Sequence, residues 1–288
     1  MVLSESEVLD ELLHCSFIFV DKPRGPSSHE ITTFVKKLLG AQKAGHAGTL
    51  DPQVSGVQII GLNKAARLLR YVVGQDKEYI GVLRLRQAPE DIAHLQKQMD
   101  RLVGKIRQMP PKESAVAKRR RERKVYEFTA LELLNRTALF RARVEAGTYV
   151  RVLCTDVGKA FGGGIMLQLR RTRVGRIGER RLVRLPDLAD ALYLAKNKRD
   201  VKPLQAMLVP VKEMLKLPCL CIRPAAVEAV CRGSPLAISD VSAAEVRAQE
   251  GQEMQLTDED GKLVAIAQFK GGALHPKIVL CEREKNIT

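Results

Sequence analysis

The chain has 288 residues, of which 45% are hydrophobic, 28% are charged and 4% are aromatic. That length can bury a sizeable core and predicts one large domain followed by a smaller one. Apolar runs fall well short of about 18 residues, and no basic-then-apolar signal pattern opens the sequence, which argues against a membrane-spanning or secreted protein and predicts a cytoplasmic one.

The formal net charge is +15, and it is unevenly distributed along the chain. Residues 1–216 carry 40 Lys and Arg against 23 Asp and Glu, whereas residues 217–288 carry 8 against 10. The basic excess predicts a polyanionic partner, because Lys and Arg release counterions when they contact phosphates. A basic protein without such a partner is the alternative. The change in composition near Lys216 predicts a domain boundary.

The six Cys residues give no metal or redox pattern. They stand at positions 15, 154, 219, 221, 231 and 281, form no CxxC pair and have no His nearby at zinc-ligand spacing. We therefore expect a reduced, intracellular protein that uses Cys as small core residues, with no metal site.

The start of the chain predicts a strand, a helix and a long loop. Phe17–Val20 is expected to be a strand. Ser27 and Glu30 form a capping-box pattern before apolar residues at helical spacing, and Gly40 ends that helix. The Gly-rich segment from Gly40 to Gly56 is expected to be a long ordered loop. Such a loop inside a compact domain usually has a function.

Beyond this loop, strands and helices interleave without a regular βαβ period, which favours a mixed α+β sheet over a doubly wound one. Helices are expected at Leu62–Val73, from Pro89 to Gly104, and at Val150–Ala160, Leu188–Leu194 and Leu204–Leu215, and strands at Glu78–Leu85, Val125–Leu134, Ala138–Glu145 and Leu167–Val174. From Leu217, a short strand, a helix stopped by Gly233 and turn signals such as DEDGK predict a β-rich, barrel-like module.

Asp51 is the first candidate for a chemical role. An Asp that follows small residues and precedes Pro52 is a carboxylate displayed by a rigid loop, and its ordinary role would be an Asx turn or a helix N-cap. The nearby His46 and Thr49, the basic body of the chain and a distant GTYVR segment favour catalysis instead.

Five segments, in order, resemble the motifs of the TruB-type RNA pseudouridine synthases. They read DKPRGPSSHE, GHAGTLDPQVSG, KEYIGVLRL, GTYVRVLCTDVG and MLQLRRTRVG, and they span about residues 17–178. The resemblance implies conversion of uridine to pseudouridine, in which the C1′–N1 bond breaks and the sugar is rejoined to C5 of the base. Such an isomerisation needs no cofactor and no metal.

By that resemblance, Asp51 is the nucleophile that acts on a uridine flipped out of its stack. Addition at C1′, addition at C6 of the base and removal of the 2′ proton all remain open as its first step. Burial raises the pKa of a carboxylate, so a cation is needed, and Arg151 matches the family residue that pairs with the aspartate. Tyr79 matches the tyrosine that stacks on the uracil, with an ordinary strand aromatic as the alternative.

Four further residues match the substrate-binding set of the family, namely His46, Tyr149, Leu169 and Lys22. His46 matches a residue that fills the gap left by the flipped base, although a lone His is more often a surface or core residue. Tyr149 matches a pocket tyrosine, with core packing as the alternative, and Leu169 would help to wall the uracil pocket. Lys22 matches a segment that supports the catalytic loop, for which a purely structural role is the alternative.

Two basic clusters are expected to contact RNA phosphates, with a solvated charged surface as the alternative for each. The first is KRRRERK, which includes Lys118, Arg119, Arg120 and Arg121. The second begins with Arg170, Arg171 and Arg173.

The connection between PPKESA and the VYE strand is short, whereas the bacterial-type tRNA enzymes carry a long insertion there. This short form resembles the archaeal and eukaryotic dyskerin-type synthases, which are guided by H/ACA RNA. The tail, from CLCIRPAAVEAVCRGSPL to EGQEMQLTDEDGKLVAIAQF, resembles their PUA domain. The expected fold is α+β, with a mixed-sheet catalytic domain at residues 1–216 and a small β-barrel-like PUA domain at residues 217–288.

The resemblance implies a guide RNA and a substrate rRNA or tRNA as partners, with a small zinc-ribbon-like protein, a β-barrel protein and a kink-turn-binding protein. The usual Ser of GHSGTLDP is Ala47 here and the usual CHD is CTD, and neither change removes a catalytic group. A short N-terminus and the lack of a Lys-rich tail favour an archaeal-type, cytoplasmic protein over a nucleolar one. A stand-alone tRNA T-loop synthase and a non-catalytic RNA-binding scaffold are the alternatives.

Overall fold

The computed structural model describes residues 5–111, 117, 119–242 and 248–281. The chain divides into two compact units, and the division falls between Leu208 and Val209. The boundary predicted near Lys216 lies a few residues further along, because the change in charge does not coincide with the change in packing. Among the helices of the described residues, none combines the length and the apolar character that crossing a membrane requires.

The first unit contains helices and strands that alternate along the chain. The helices are α1 (Glu5–His14), α2 (Ser28–Leu38), α3 (Arg70–Val73), α4 (Ile92–Asp100), α5 (Val150–Gly158), α6 (Leu185–Asn197) and α7 (Lys202–Met207). The strands are β1 (Ser16–Lys22), β2 (Ala44–Ala47), β3 (Val54–Leu62), β4 (Lys77–Leu85), β5 (Gly104–Gln108), β6 (Arg121–Leu134), β7 (Thr137–Val144), β8 (Gly164–Val174) and β9 (Ile177–Gly178). Turns of 3-10 helix cover Asn63–Leu68, Lys159–Phe161 and Glu179–Arg181.

These strands form a mixed sheet in the order β1, β3, β8, β4, β7, β6, β5, with β2 beside β3 and β9 beside β8. Neighbours are antiparallel except β3 and β8, which run parallel with Val54 opposite Leu169. Along one side of β3, the neighbour changes from β2 to β8. The loop that carries Asp51 emerges at this change of partner. The mixed α+β sheet predicted from the sequence is confirmed.

Two apolar clusters hold the helices on this sheet. One joins α4 and α5 to β4, β6, β7 and β8 through side chains that include Leu95, Leu153 and Phe140. The other joins α2, α6 and α7 to β1 and β3 and includes Val35 and Leu188. Strands β3, β4 and β8 are therefore fixed by burial, and the candidate site is built on them.

Helix α2 begins with the capping box that the sequence predicts. Glu30 N–H donates to Ser27 Oγ at 3.2 Å, and Ser27 N–H donates to Glu30 Oε2 at 2.7 Å. The helix buries Ile31 and Val35 against the sheet. This start places the next residue, Ser28, in the first turn and directs its hydroxyl towards the Asp51 loop.

The Gly-rich segment expected to be one long loop contains β2 and the start of β3. Its residues have little intrinsic preference for a strand, and pairing with β3 supplies the backbone hydrogen bonds. Gly45 lies opposite Gly61 in this pairing, and a Cβ at Gly45 would lie 2.9 Å from Leu69 Cδ1. The close packing of the Leu69 side chain against β2 therefore requires glycine at position 45, and local sequence does not show this tertiary requirement.

Three other predicted elements need correction. The helix expected at Leu62–Val73 is a 3-10 turn followed by the single turn of α3. The helix expected to reach Leu215 ends at Met207. Gly104, expected only to end a helix, is also the first residue of β5, which pairs with the charged start of β6.

The second unit is a five-stranded curled sheet with one α-helix among its described residues. Its elements are β10 (Val209–Pro210), a 3-10 turn (Val211–Glu213), β11 (Cys219–Cys221), α8 (Pro224–Arg232), β12 (Leu236–Ala237), a 3-10 turn (Ile238–Asp240), β13 (Glu253–Thr257), β14 (Leu263–Lys270) and β15 (Ala273–Val279). The sheet order is β11, β13, β14, β15, β12. The β-rich module is confirmed, as a half-barrel with open edges at β11 and β12 rather than a closed barrel.

Cys231 and Cys281 form a disulfide with a Cα–Cα distance of 5.6 Å, which corrects the prediction of six reduced Cys residues. The two residues are 50 positions apart, and they meet because α8 and the chain after β15 share one apolar cluster. The core-thiol prediction does fit Cys154, which is fully buried and whose pKa burial raises to about 12.

Candidate active site

Asp51 lies on the loop between β2 and β3, and this loop is held by the start of the chain. Ser28 Oγ accepts a hydrogen bond from Leu50 N–H at 2.8 Å and donates one to Leu50 O at 3.1 Å. On the other side of Asp51, Gly25 N–H donates to Pro52 O at 2.9 Å. Leu50 is thus fixed by Ser28 in the first turn of α2, and Pro52 is fixed by Gly25 in the connection between β1 and α2.

Lys22 lies beneath this loop and is fully buried. Its Nζ donates to the carbonyl oxygens of Val54 at 2.7 Å, Pro23 at 3.0 Å and Pro52 at 3.2 Å. Burial lowers the pKa of Lys22, and the Asp51 carboxylate opposes that shift. This geometry fits the structural alternative, support of the loop, and leaves Lys22 no accessible surface for contact with substrate.

Arg171 holds the same loop from β8. Its Nε donates to Val57 O at 2.7 Å and its Nη2 donates to Gly48 O at 3.0 Å, and the residue is 1% exposed. Gly48 has a φ of +72°, and a Cβ there would lie 3.3 Å from Arg171 Nη1. The prediction that Arg171 contacts RNA phosphates is therefore corrected, because its guanidinium is inside the protein and bonded to the loop.

Arg170 and Arg173 are paired with carboxylates. Arg170 donates to Asp21 at 2.9 and 3.1 Å and to Glu179 at 2.5 Å, and Asp21 holds the pKa of Arg170 above its ordinary value. Arg173 Nη2 donates to Glu78 Oε2 at 2.8 Å. These ion pairs tie β8 to its neighbours, and about a third of each arginine side chain remains exposed, so contact of Arg170 and Arg173 with RNA phosphates stays a prediction.

A cleft of about 440 Å³ opens beside the Asp51 loop. Five of the seven residues predicted to be catalytic or to bind the substrate line it together, namely Asp51, Tyr79, Tyr149, Arg151 and Leu169. Tyr79 and Leu169 are almost fully buried and form an apolar wall. A Cβ at Gly81 would lie 2.8 Å from Leu169 Cδ1, so the glycine of KEYIG makes room for that wall.

Arg151 and Asp51 form an ion pair at the cleft although they are 100 residues apart. Half of the Asp51 side chain is exposed, so the carboxylate faces the opening and remains accessible. Arg151 lies in the first turn of α5, which Gln108 positions. Gln108 Oε1 accepts from Tyr149 N–H at 2.9 Å, and Gln108 Nε2 donates to Tyr149 O at 3.2 Å.

Lys77 also lines the cleft, and the sequence prediction missed it. It is 5% exposed, and its Nζ donates to Val73 O at 2.5 Å and to Gln75 O at 2.6 Å. Burial, with a contribution from Arg171, lowers the pKa of Lys77 to about 8. A signal was present in the sequence, because alternate residues of a strand share a face and Lys77 precedes Tyr79 by two positions.

His46 lies on β2 opposite Ile60 and is not among the residues that line the cleft. Its Nδ1 is buried and has no hydrogen-bond partner among the described residues. Burial, with Arg171 and His29, lowers the pKa of His46, which keeps the ring neutral. Its role in filling the gap left by a flipped base stays a prediction.

The basic run KRRRERK divides into an exposed part and a strand. Lys118 lies outside the described residues. Arg119 and Arg120 are exposed, whereas Arg121 begins β6, is partly buried and pairs with Gln108 of β5. Contact of Arg119, Arg120 and Arg121 with RNA stays a prediction.

Family models match two adjacent parts of the chain. Residues 36–150 match the N-terminal domain of TruB family pseudouridylate synthases, and residues 151–216 match the C-terminal domain of tRNA pseudouridylate synthase B. The "probable tRNA pseudouridine synthase B" of Pyrobaculum arsenaticum is 41% identical over 261 residues, covering 90% of this chain and 78% of that protein. Its counterpart in Archaeoglobus fulgidus is 38% identical over 264 residues, covering 90% and 80%.

Two solved structures match nearly the whole fold. A Cbf5–Nop10–Gar1 complex contains a chain with a TM-score of 0.81 and 34% identity, covering 96% of this chain and 88% of that one. An H/ACA ribonucleoprotein bound to a substrate RNA containing 2′-deoxyuridine gives a TM-score of 0.82 and 33% identity, with the same coverage. The chain therefore belongs to the TruB family of pseudouridine synthases and is an RNA isomerase.

Proposed function

We propose that this chain isomerises uridine in RNA under the direction of a guide RNA, as the catalytic subunit of an H/ACA-type particle, with Asp51 as the nucleophile. The observation that carries the proposal is the Asp51–Arg151 ion pair at a cleft lined by Tyr79, Tyr149 and Leu169.

The geometry fits the chemistry at a flipped base. A cleft of about 440 Å³ is within the usual size range of small-ligand sites and can take one nucleoside. The Arg151 guanidinium is the counter-charge of the Asp51 carboxylate, and a carboxylate is the reacting group in every first step open to this residue, at C1′, at C6 or at the 2′ proton. The apolar wall of Tyr79 and Leu169 offers a face against which the uracil ring can stack.

Guide dependence is supported by two kinds of observation. One matching chain, 33% identical, comes from an H/ACA ribonucleoprotein that holds a substrate RNA, and another, 34% identical, comes from a Cbf5–Nop10–Gar1 complex. In the sequence, the short connection between PPKESA and the VYE strand also resembles the dyskerin-type synthases rather than the bacterial-type enzymes. By the same argument we assign residues 217–288 to a PUA domain that holds the end of a guide RNA. Its slight negative charge favours recognition by shape and specific contacts.

A second function, modification of tRNA without a guide, is favoured by the names of the curated relatives. Both the Pyrobaculum arsenaticum and the Archaeoglobus fulgidus proteins are described as probable tRNA pseudouridine synthases. The chemistry at Asp51 would be the same, and the source of the substrate would differ.

Both functions are tested by measuring pseudouridine formation on guide-paired RNA and on unmodified tRNA, with and without the guide and the core proteins. We expect modification of the guided target only when the guide is present, and Asp51→Asn to reduce it by at least about 1,000-fold. Asp190→Asn, the same change at an exposed carboxylate of α6, is the matched control. Full activity of Asp51→Asn would overturn the nucleophile, and modification of tRNA by the chain alone would favour the second function.

A further inference from the structure

We propose that the turn between α6 and α7, residues 196–202, binds the phosphate backbone of RNA, with Arg199 held for that purpose in an unfavourable backbone conformation. This surface is separate from the residues that line the Asp51 cleft. The inference rests on the proposed function only in taking RNA as the polyanion.

The turn concentrates unpaired positive charge. Its four cations are Lys196, Lys198, Arg199 and Lys202; each is exposed, and none forms an ion pair among the described residues. Asp200 is the acidic residue within the turn, and its Oδ1 accepts a hydrogen bond from the backbone N–H of Lys202 at 3.2 Å. A local excess of this kind attracts phosphates, because each contact releases condensed counterions.

The conformation of Arg199 is the second, independent observation. Its φ is +57°, in the left-handed region where glycine is favoured and where long side chains are uncommon. The position follows the end of α6, and Lys198 N–H and Asp200 N–H both donate to Leu194 O, at 2.9 and 3.3 Å. This is the helix-terminating arrangement in which glycine is the usual residue.

The helix dipole alone does not explain Arg199. A cation near the end of α6 is favoured by the partial negative charge there, but Lys196 and Lys198 already provide two. A glycine at position 199 would satisfy the turn without conformational cost. An arginine in this unfavourable conformation is explained by a guanidinium that binds a group outside the chain.

An exposed aromatic side chain lies next to these cations. Tyr193 is 59% exposed and precedes Lys196 by three positions, so the two share one side of α6. Asn197 Nδ2 donates to Tyr193 O at 3.0 Å, a side-chain hydrogen bond to the last turn of α6. Cations beside an exposed aromatic ring are typical of surfaces that bind nucleic acid.

The experiment uses the full chain and a fluorescein-labelled RNA hairpin with a single-stranded 3′ tail, titrated over a range of salt concentrations. We expect Arg199→Gly to weaken binding about five- to eight-fold near 0.1 M salt. The slope of log affinity against log salt concentration should decrease by roughly one, which corresponds to the loss of one phosphate contact. The same variant should melt about 1–3 °C higher, because glycine relieves the backbone. Arg199→Lys should bind within about two-fold of the wild type, because it keeps the charge.

The matched control is Lys97→Ala, which removes an exposed, unpaired cation of the described residues on α4. It should change binding by less than about two-fold. Unchanged binding by Arg199→Gly would overturn the inference, as would equal weakening by Arg199→Lys or a lower melting temperature of Arg199→Gly. A pseudouridine assay on the wild type tests the proposed function separately. If it detects no guided modification, weaker RNA binding by Arg199→Gly would still support phosphate binding by the α6–α7 turn.

Discussion

Strand β8 and the α6–α7 turn are both rich in positive charge, but they use it in different ways. On β8, Arg170 and Arg173 are paired with carboxylates, and Arg171 is buried and bonded to backbone carbonyls. In the turn, four cations are exposed and form no ion pair among the described residues. Cations of the first kind hold β8 to its neighbours and to the Asp51 loop, whereas those of the second kind are available to a partner.

The largest expected effect is that of Arg171→Met, which removes the buried guanidinium and leaves the carbonyls of Val57 and Gly48 without their donors. We expect the free energy of unfolding to fall by about 3 kcal/mol, because each unsatisfied buried carbonyl costs about 1–3 kcal/mol. Urea denaturation measures it, with Arg180→Met, at an exposed arginine, as the control. A loss below about 1 kcal/mol would mean that Arg171 does not support the loop.

A smaller effect is expected for Lys22→Met, which removes three hydrogen bonds from beneath the Asp51 loop. The free energy of unfolding should fall by about 2 kcal/mol, because the desolvation cost of the buried ammonium offsets part of the stabilisation that these hydrogen bonds provide. Activity should fall by about 10-fold or more, because the carboxylate loses its fixed position. Pseudouridine formation under single-turnover conditions tests this, and a variant as active as the wild type would contradict it.

Lys77 should make the free energy of unfolding depend on pH, by about 1 kcal/mol. Its pKa is about 8 in the folded protein, compared with 10.5 for an ordinary lysine. Between these values the unfolded chain binds more protons, so this residue makes the free energy of unfolding rise with pH, by about 1 kcal/mol between pH 7 and pH 9.

Lys77→Met should remove that rise, and urea denaturation at the two pH values measures it. Lys105→Met, at an exposed lysine of β5, serves as the control and should keep the rise. A rise that persists in Lys77→Met would assign the pH dependence to another group.

The smallest effect on stability is expected for the exposed pair Arg119 and Arg120. Their double replacement by Ala should change the free energy of unfolding by less than about 0.5 kcal/mol. If they contact phosphates, affinity for RNA should fall several-fold and the salt slope should decrease by about two. Unchanged affinity would place them, like the buried Arg171, outside the RNA contacts.

The sequence predicted the members of the cleft better than it predicted their support. Asp51, Tyr79 and Arg151 come from three separate segments, and each segment carries a motif whose residue types suit one reaction. Lys77 and Arg171 were missed or misassigned, although strand alternation relates them to Tyr79 and Leu169, which face the same cleft.

The disulfide and β2 were beyond local sequence for a related reason. Cys231 and Cys281 approach each other only when α8 and the chain after β15 pack together. Strand β2 forms by pairing with β3, and Gly45 leaves space there for the Leu69 side chain. Contacts across the chain decide both, and short-range propensities contain no record of them.

The sequence by itself determined the chemistry, the mixed sheet and the basic character of the first 216 residues. The tertiary structure alone decided which positive charges support the Asp51 loop and which face solvent. The physical reason is that a charge acquires its role from burial and from its partners. A guanidinium inside the protein must bond to carbonyls or carboxylates, whereas the same group at the surface stays available to RNA.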